Sequence, residues 1–169
     1  MNRQAADGPL IRLATLYSLA LPLHMDANKS TKQPKILILA TLAGGYAGAD
    51  AVGQAHAGYA ANTYILPVMC PVMFPPEFFL RAFERGIDGI ILMYSGTDSP
   101  YKVETDGTAA LVNRAYGLMK ERGIDVRRLR LTAICTVCVK PFLKEVNQMS
   151  ELLKSIGFVK NEIAAHATD

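Results

Sequence analysis

A chain of 169 residues, half of them hydrophobic and a fifth charged, has room for one domain with a sizeable core. That composition excludes intrinsic disorder, and a net charge of +3, dispersed rather than striped, makes no case for a nucleic-acid groove. No apolar run reaches the roughly 18 residues of a bilayer span, and three cysteines, an odd number, argue for a reducing compartment over a secreted disulfide framework.

Residues 1–33 read as an extension separate from the rest of the chain. Ile11–Leu23 is apolar with Arg3 and Arg12 toward its front, and Asp26–Gln33 is polar. Three readings stand. The stretch is a weak secretory signal, although Pro22 and His24 occupy the place of small cleavage-site residues. Alternatively it is a docking segment, or an addition ahead of a natural start at Met25. Lys29, Lys32 and Lys35 form a solvated linker or an anionic docking tail.

From Pro34 the chain alternates. Lys35–Thr41 is a short continuous apolar run, the pattern of a strand buried on both faces. Ala47–Gly58 suits a helix, and Thr63–Met69 is a second strand. Pro75 and Pro76 open a helix whose buried face is Phe78, Phe79, Ala82 and Phe83 and whose stop is Gly86. Gly89–Tyr94 is a third strand, Ser95–Asp106 a polar loop, and Thr108–Arg122 a helix ended by Gly123. Leu129–Ile134 is a fourth strand and Pro141–Ile156 a closing amphipathic helix stopped by Gly157. This alternation predicts an α/β fold: an open four-stranded parallel sheet flanked by helices, a flavodoxin-like or Rossmann-like three-layer sandwich over residues 34–160, with a tail at 161–169.

Ligands of such sheets sit beyond the carboxyl ends of the strands. That edge is expected to comprise Leu42–Tyr46, Cys70–Phe74, Ser95–Tyr101 and Cys135–Val139, and all three cysteines fall on it. The glycine-rich first loop lacks the GxGxxG and GxxxxGK[ST] orders, so close backbone packing explains it better than a phosphate cradle. No histidine falls in the four loops, which removes a serine hydrolase. Cys135 and Cys138 form a CxxC between a strand and a helix. They are open to three readings: small buried residues, a metal or cluster site shared with Cys70, or a redox dithiol. Asp98 and the hydroxyls around it suit a turn.

Several marks recur in a fixed order. Tyr46-Ala47-Gly48-Ala49-Asp50 follows strand one and Val68-Met69-Cys70 ends strand two. Next come Pro76-Glu77-Phe78, Ala82-Phe83-Glu84, Gly86 and Asp88-Gly89. Gly123-Ile124-Asp125, Arg128-Leu129-Arg130-Leu131, Phe142 and Val146-Asn147 complete the series. In these, Pro34–Gly157 resembles the delta-subunit family of methyl-viologen-reducing hydrogenase, a small iron–sulfur subunit that partners heterodisulfide reductase.

The resemblance implies a [2Fe-2S] cluster relaying electrons between a hydrogenase, or a formate dehydrogenase in its place, and the flavin-bearing reductase subunit. Carried over by position, the family's CCxxC stretch falls on Ala40, Thr41 and Gly44, and its Cys-His-x-Gly-Asp-Cys loop on Tyr94 to Ser99, with only Asp98 kept. Cys70 is the one retained ligand position, and one thiolate cannot hold the cluster.

The expectation is therefore an accessory, non-catalytic subunit of a cytoplasmic heterodisulfide-reductase-like or hydrogenase-like complex, its cluster site largely lost. Met69, Met73, Phe74 and the apolar leader would serve as docking contacts. The alternative is an active electron carrier with a variant iron–sulfur or dithiol centre at Cys70, Cys135 and Cys138. A weaker possibility is a free-standing binder of a nucleotide or flavin.

Overall fold

The computed structural model describes residues 32–96, 99, 103–135 and 138–168. The leader through residue 31, Asp98 and Tyr101 lie outside these. The elements are β1 (Ile36–Thr41), α1 (Gly45–Gln54), β2 (Thr63–Val68), α2 (Glu77–Glu84), β3 (Gly89–Tyr94), α3 (Val103–Glu121), β4 (Leu129–Ala133), α4 (Val139–Ile156) and α5 (Val159–His166). Two short 3-10 turns, Pro71–Met73 and Val126–Arg128, follow β2 and precede β4.

The four strands form one parallel sheet in the order β2-β1-β3-β4. The chain steps from β1 to β2 in one direction and then crosses back to β3 and β4 in the other. Right-handed crossovers accordingly place α1 on one face and α2 and α3 on the opposite face. Alternation along β1 divides its side chains between two cores. Ile36, Ile38 and Ala40 join Val52 of α1 and Phe142, Val146, Met149 and Leu153 of α4. Leu39 joins Phe79 and Phe83 of α2, Leu111, Ala115 and Met119 of α3, and Val159 of α5. The three-layer α/β sandwich is thus present. No helix among the described residues is long and apolar enough to cross a membrane.

β2 is an edge strand. Ile36 and Leu42 donate their N–H groups to the carbonyls of Asn62 and Val68, each at 3.0 Å. Carbonyls of even-numbered β2 residues therefore face β1, and Pro67 turns its backbone nitrogen to the open side. The helix stops expected at Gly86, Gly123 and Gly157 take φ values of 86°, 66° and 78°, where glycine carries no side-chain penalty.

The sequence expectation departs from the structure most at three places. α1 begins at Gly45 and ends at Gln54, because Gly48 N–H already closes onto Gly44 O at 3.1 Å. α3 begins at Val103, inside the stretch expected to remain loop through Asp106. The expected tail from residue 161 instead lies mostly within α5. Val159 is fully buried, and Glu162 meets the fully buried Arg128 at 2.7 Å. A helix of only eight residues is held by its tertiary contacts: Val159 and Ile163 pack on the core and Glu162 pairs with that distant guanidinium.

Candidate functional site

The carboxyl edge of the sheet collects the ends of all four strands, and its centre is the switch point between β1 and β3, where the crossover direction reverses. Three positions carried over from the resemblance meet there. Thr41 ends β1 fully buried, and its Oγ1 has no hydrogen-bond partner among the described residues. Gly44 closes a tight turn through its N–H to Thr41 O at 3.0 Å. Tyr94 ends β3 half-buried, and the next residue, Ser95, has a buried Oγ that is likewise unpartnered among the described residues. Ala40 is wholly inside the α1–α4 core, and Ser99 lies a turn further on, its N–H on Gly96 O at 3.2 Å.

The glycine pair shows why this loop has its composition. A Cβ on Gly44 would lie 2.6 Å from Ser95 N and 2.8 Å from the carbonyl carbon of Tyr94, and one on Gly45 would run into Met93. Both contacts involve backbone or a strand side chain held in the core, so neither neighbour yields cheaply. Close packing, the simpler of the two sequence readings, is what the loop does. The residues present do not fit a [2Fe-2S] cluster at this point. Alanine, threonine and glycine supply no thiolate, and the volume a ligand at residue 44 would need is filled by β3 backbone.

The cysteines divide between the two ends of the sheet. Cys70 follows β2, half-buried and unpaired, and its carbonyl accepts from Met73 N–H at 3.3 Å as the Pro71–Met73 turn closes. Cys135 and Cys138 follow β4 and are joined as a disulfide, with their Cα atoms 5.4 Å apart. With β2 and β4 at opposite edges, three strand spacings put the two strand ends about 14 Å apart. The structure therefore does not bring Cys70 together with Cys135 and Cys138. Among the described residues no group of three or more histidine, cysteine or acidic side chains is placed to hold a metal ion.

Beside Cys70 lies an apolar surface that the sequence only partly announces. Leu42, Tyr64, Leu66, Met69, Val72 and Met73 are exposed, Met73 to 71 %. Of the three side chains expected as docking contacts, Met69 and Met73 are exposed, whereas Phe74 packs against the core beside Phe78, ring centroids 4.7 Å apart. Tyr64 and Leu66 fall within the stretch read simply as a second strand, and Pro67 is the signal that marks it as an edge. On the other side of β2, Tyr46 and Asp50 line a shallow groove with Tyr59 and Ile65. Asp50 accepts from Gln54 Nε2 at 2.7 Å, so the two large side chains of the YAGAD stretch serve the surface rather than the core.

Comparison with known proteins agrees with this architecture. Residues 36–157 match the family model described as methyl-viologen-reducing hydrogenase, delta subunit. The iron-sulfur subunit of the vhc F420-non-reducing hydrogenase from Methanococcus voltae is 28% identical over 114 residues, covering 66% of this chain and 78% of that one. Its counterpart in the vhu hydrogenase of Methanocaldococcus jannaschii is 25% identical over 125 residues, 73% of this chain and 93% of that one. One chain of the ferredoxin/F(420)H(2)-dependent CoB-CoM heterodisulfide reductase from Methanosarcina acetivorans is 28% identical over 118 residues. That alignment covers 69% of this chain and only 15% of the much longer reductase chain. The same kind of domain thus occurs as nearly the whole of a hydrogenase subunit in some relatives, and as a small piece of a reductase chain in others. With well over half its length matched, the chain belongs to the family of methyl-viologen-reducing hydrogenase delta subunits.

Proposed function

We propose that this chain is an accessory, non-catalytic subunit of a cytoplasmic heterodisulfide-reductase-like or hydrogenase-like electron-transfer complex, contributing a docking scaffold where the family's cluster would stand. The observation that carries the reading is the exposed apolar surface along β2 and its exit loop, formed by Leu42, Tyr64, Leu66, Met69, Val72 and Met73. Contiguous exposed apolar side chains of this kind mark interaction surfaces, and methionine adapts well to a partner's contour. The occurrence of the domain inside a heterodisulfide reductase chain supports a partner of that type, a flavin-bearing heterodisulfide-reductase-like chain, with hydrogenase or formate dehydrogenase subunits beyond it.

The test is affinity capture of the full chain from anaerobic extract of its native cells. Wild type is expected to bring down reductase-like and hydrogenase-like or formate-dehydrogenase-like subunits. Leu66→Asp and Met73→Asp are expected to weaken capture at least about tenfold, as central apolar contacts do when truncated or charged. Their thermal unfolding should stay near that of wild type, since both side chains are exposed. A wild-type chain that runs alone as a monomer in such an extract sinks the reading.

A further inference from the structure

We propose that Cys135 and Cys138 are a redox-active dithiol–disulfide pair, separate from the position of the family's cluster, that exchanges with a disulfide or dithiol of a partner molecule. Three observations support a working pair over a structural staple. The bridge joins residues only three apart, so it restrains little of the unfolded chain, and stabilisation by cross-linking grows with the loop enclosed. In the cytoplasmic setting of the proposed function, on which this point rests, disulfides are usually transient and catalytic or redox-sensing. Cys135 is exposed and Cys138 half-buried, which gives one sulfur access to a partner and keeps the other in reserve.

The surroundings suit thiolate chemistry. Cys138 is the N-cap residue of α4, an 18-residue helix with no acidic residue in its first turn, and Lys140 lies two residues further on. The positive end of a helix favours a thiolate, the Cys135 sulfur lies at that end through its bond to Cys138, and no side-chain cap competes there. Both flanks are fixed. Ile134 is buried, with its N–H on Tyr94 O at 2.8 Å, and Phe142, fully buried, donates its N–H to Cys138 O at 3.2 Å. The Cα separation of 5.4 Å lies within the span a disulfide needs, so the reduced pair is held ready to close again. Cys70, at the opposite sheet edge, takes no part.

The Cys135 thiolate attacks one sulfur of the partner's disulfide, forming a mixed disulfide and releasing one partner thiol, which takes up a proton. Cys138, losing its proton, attacks Cys135 Sγ, closing the intramolecular disulfide and releasing the second partner thiol. Two protein thiols are oxidised, one partner disulfide is reduced to two thiols, and two protons pass to them. Run backwards, a partner dithiol supplies the two electrons and two protons.

The test uses the full chain equilibrated across a series of reduced-to-oxidised glutathione ratios, acid-quenched, alkylated under denaturing conditions and mapped by mass spectrometry. Cys135 and Cys138 are expected to gain and lose label together and reversibly, while Cys70 stays labelled throughout. In a second measurement, Cys138→Ser is expected to form a mixed disulfide at Cys135 at least tenfold faster than Cys135→Ser forms one at Cys138. The proposal is overturned if both cysteines stay reduced, or both stay oxidised, at every ratio. Pairing of either cysteine with Cys70 or with a second chain overturns it too, as does equal reactivity of the two variants. The titration is independent of docking: an inert pair in a chain that still captures its partners removes this proposal alone, and a reactive pair in a lone monomer removes only the docking reading.

Discussion

The two ends of the sheet are built to different standards. At the amino end, Asp88 accepts the N–H groups of Lys35 and Val159, both at 2.9 Å, and so ties β1 and α5 to the start of β3. Arg128, fully buried, gives two nitrogens to Glu162 at 3.0 and 2.7 Å and a third to Asp88 O at 3.1 Å. Glu162 also takes Asp125 N–H at 3.0 Å, and Asp125 holds Arg127. At the carboxyl end, the hydroxyls of Thr41 and Ser95 are buried and unpartnered among the described residues, methionines face water, and the cysteines sit on loops. Buried polar groups left unmatched are costly, and natural proteins concentrate such departures where function is carried. Asn62 Oδ1 and Thr63 Oγ1, at the amino end of β2, are likewise buried without a partner among the described residues, so what separates the two ends is the ion-pair network on one and the exposed methionines and the loop cysteines on the other.

Breaking the amino end should have the largest effect. Arg128→Met leaves Glu162 and Asp88 O facing an apolar side chain and is expected to cost about 3 kcal/mol, the low end for removing one member of a buried pair because Glu162 is partly exposed. Urea denaturation would show it as a lower midpoint at an unchanged slope. A loss under about 0.5 kcal/mol, the range of plain surface positions, would mean the network is decorative. Gly44→Cys, which puts a thiol where the resemblance implies a cluster ligand, is expected to cost about 1–3 kcal/mol by pushing the Tyr94–Ser95 backbone away. Iron content should not rise. A stable variant that bound iron would show that the switch point still has room for a ligand.

The smallest effect sharpens the comparison through pH. The hydrogen bond from Arg127 holds the Asp125 carboxyl below the usual carboxylate range. A carboxyl depressed in the folded state stabilises the fold above its unfolded value, near 4, and this stabilisation is lost as pH falls through the folded value. Asp125→Asn keeps an acceptor for Arg127 N–H but no charge. Its Tm should lie slightly below that of wild type at pH 7 and converge with it under strongly acid conditions. A gap that persisted unchanged in acid would show that the charge contributes nothing.

The strands were legible because each is a short apolar run bounded by glycine or a polar loop, and the helix stops because glycine is the residue that accepts a positive φ. The four loops of the carboxyl edge could be placed on one side for the same reason. What could not be read was the order of the strands across the sheet. Cys70 and Cys135 share an edge in every parallel arrangement, but their separation along it depends on the strand order, and the β2-β1-β3-β4 order sends them to opposite ends. α5 was hidden because its local signal is a single apolar pair, Val159 and Ile163, while its polar tether, Glu162 on Arg128, joins residues 34 apart. Gly44 and Gly45 gave a correct hint of close packing, yet the partner, the end of β3, lies some fifty residues away in the chain.

Pro67 has a consequence for how this chain can assemble. An exposed edge strand flanked by apolar side chains is a template on which a second strand can grow, in a proper partner or in an aggregate. Of the outward-facing residues of β2, Pro67 has no N–H to offer and Thr63 N–H is already given to Ala60 O. Only Ile65 keeps an outward N–H, so the edge offers one donor where an added strand would use three, and extension there is weakened. Fibrillar growth is thereby disfavoured at the place where Tyr64 and Leu66 are exposed, so this surface can stay apolar at a lower risk of self-association.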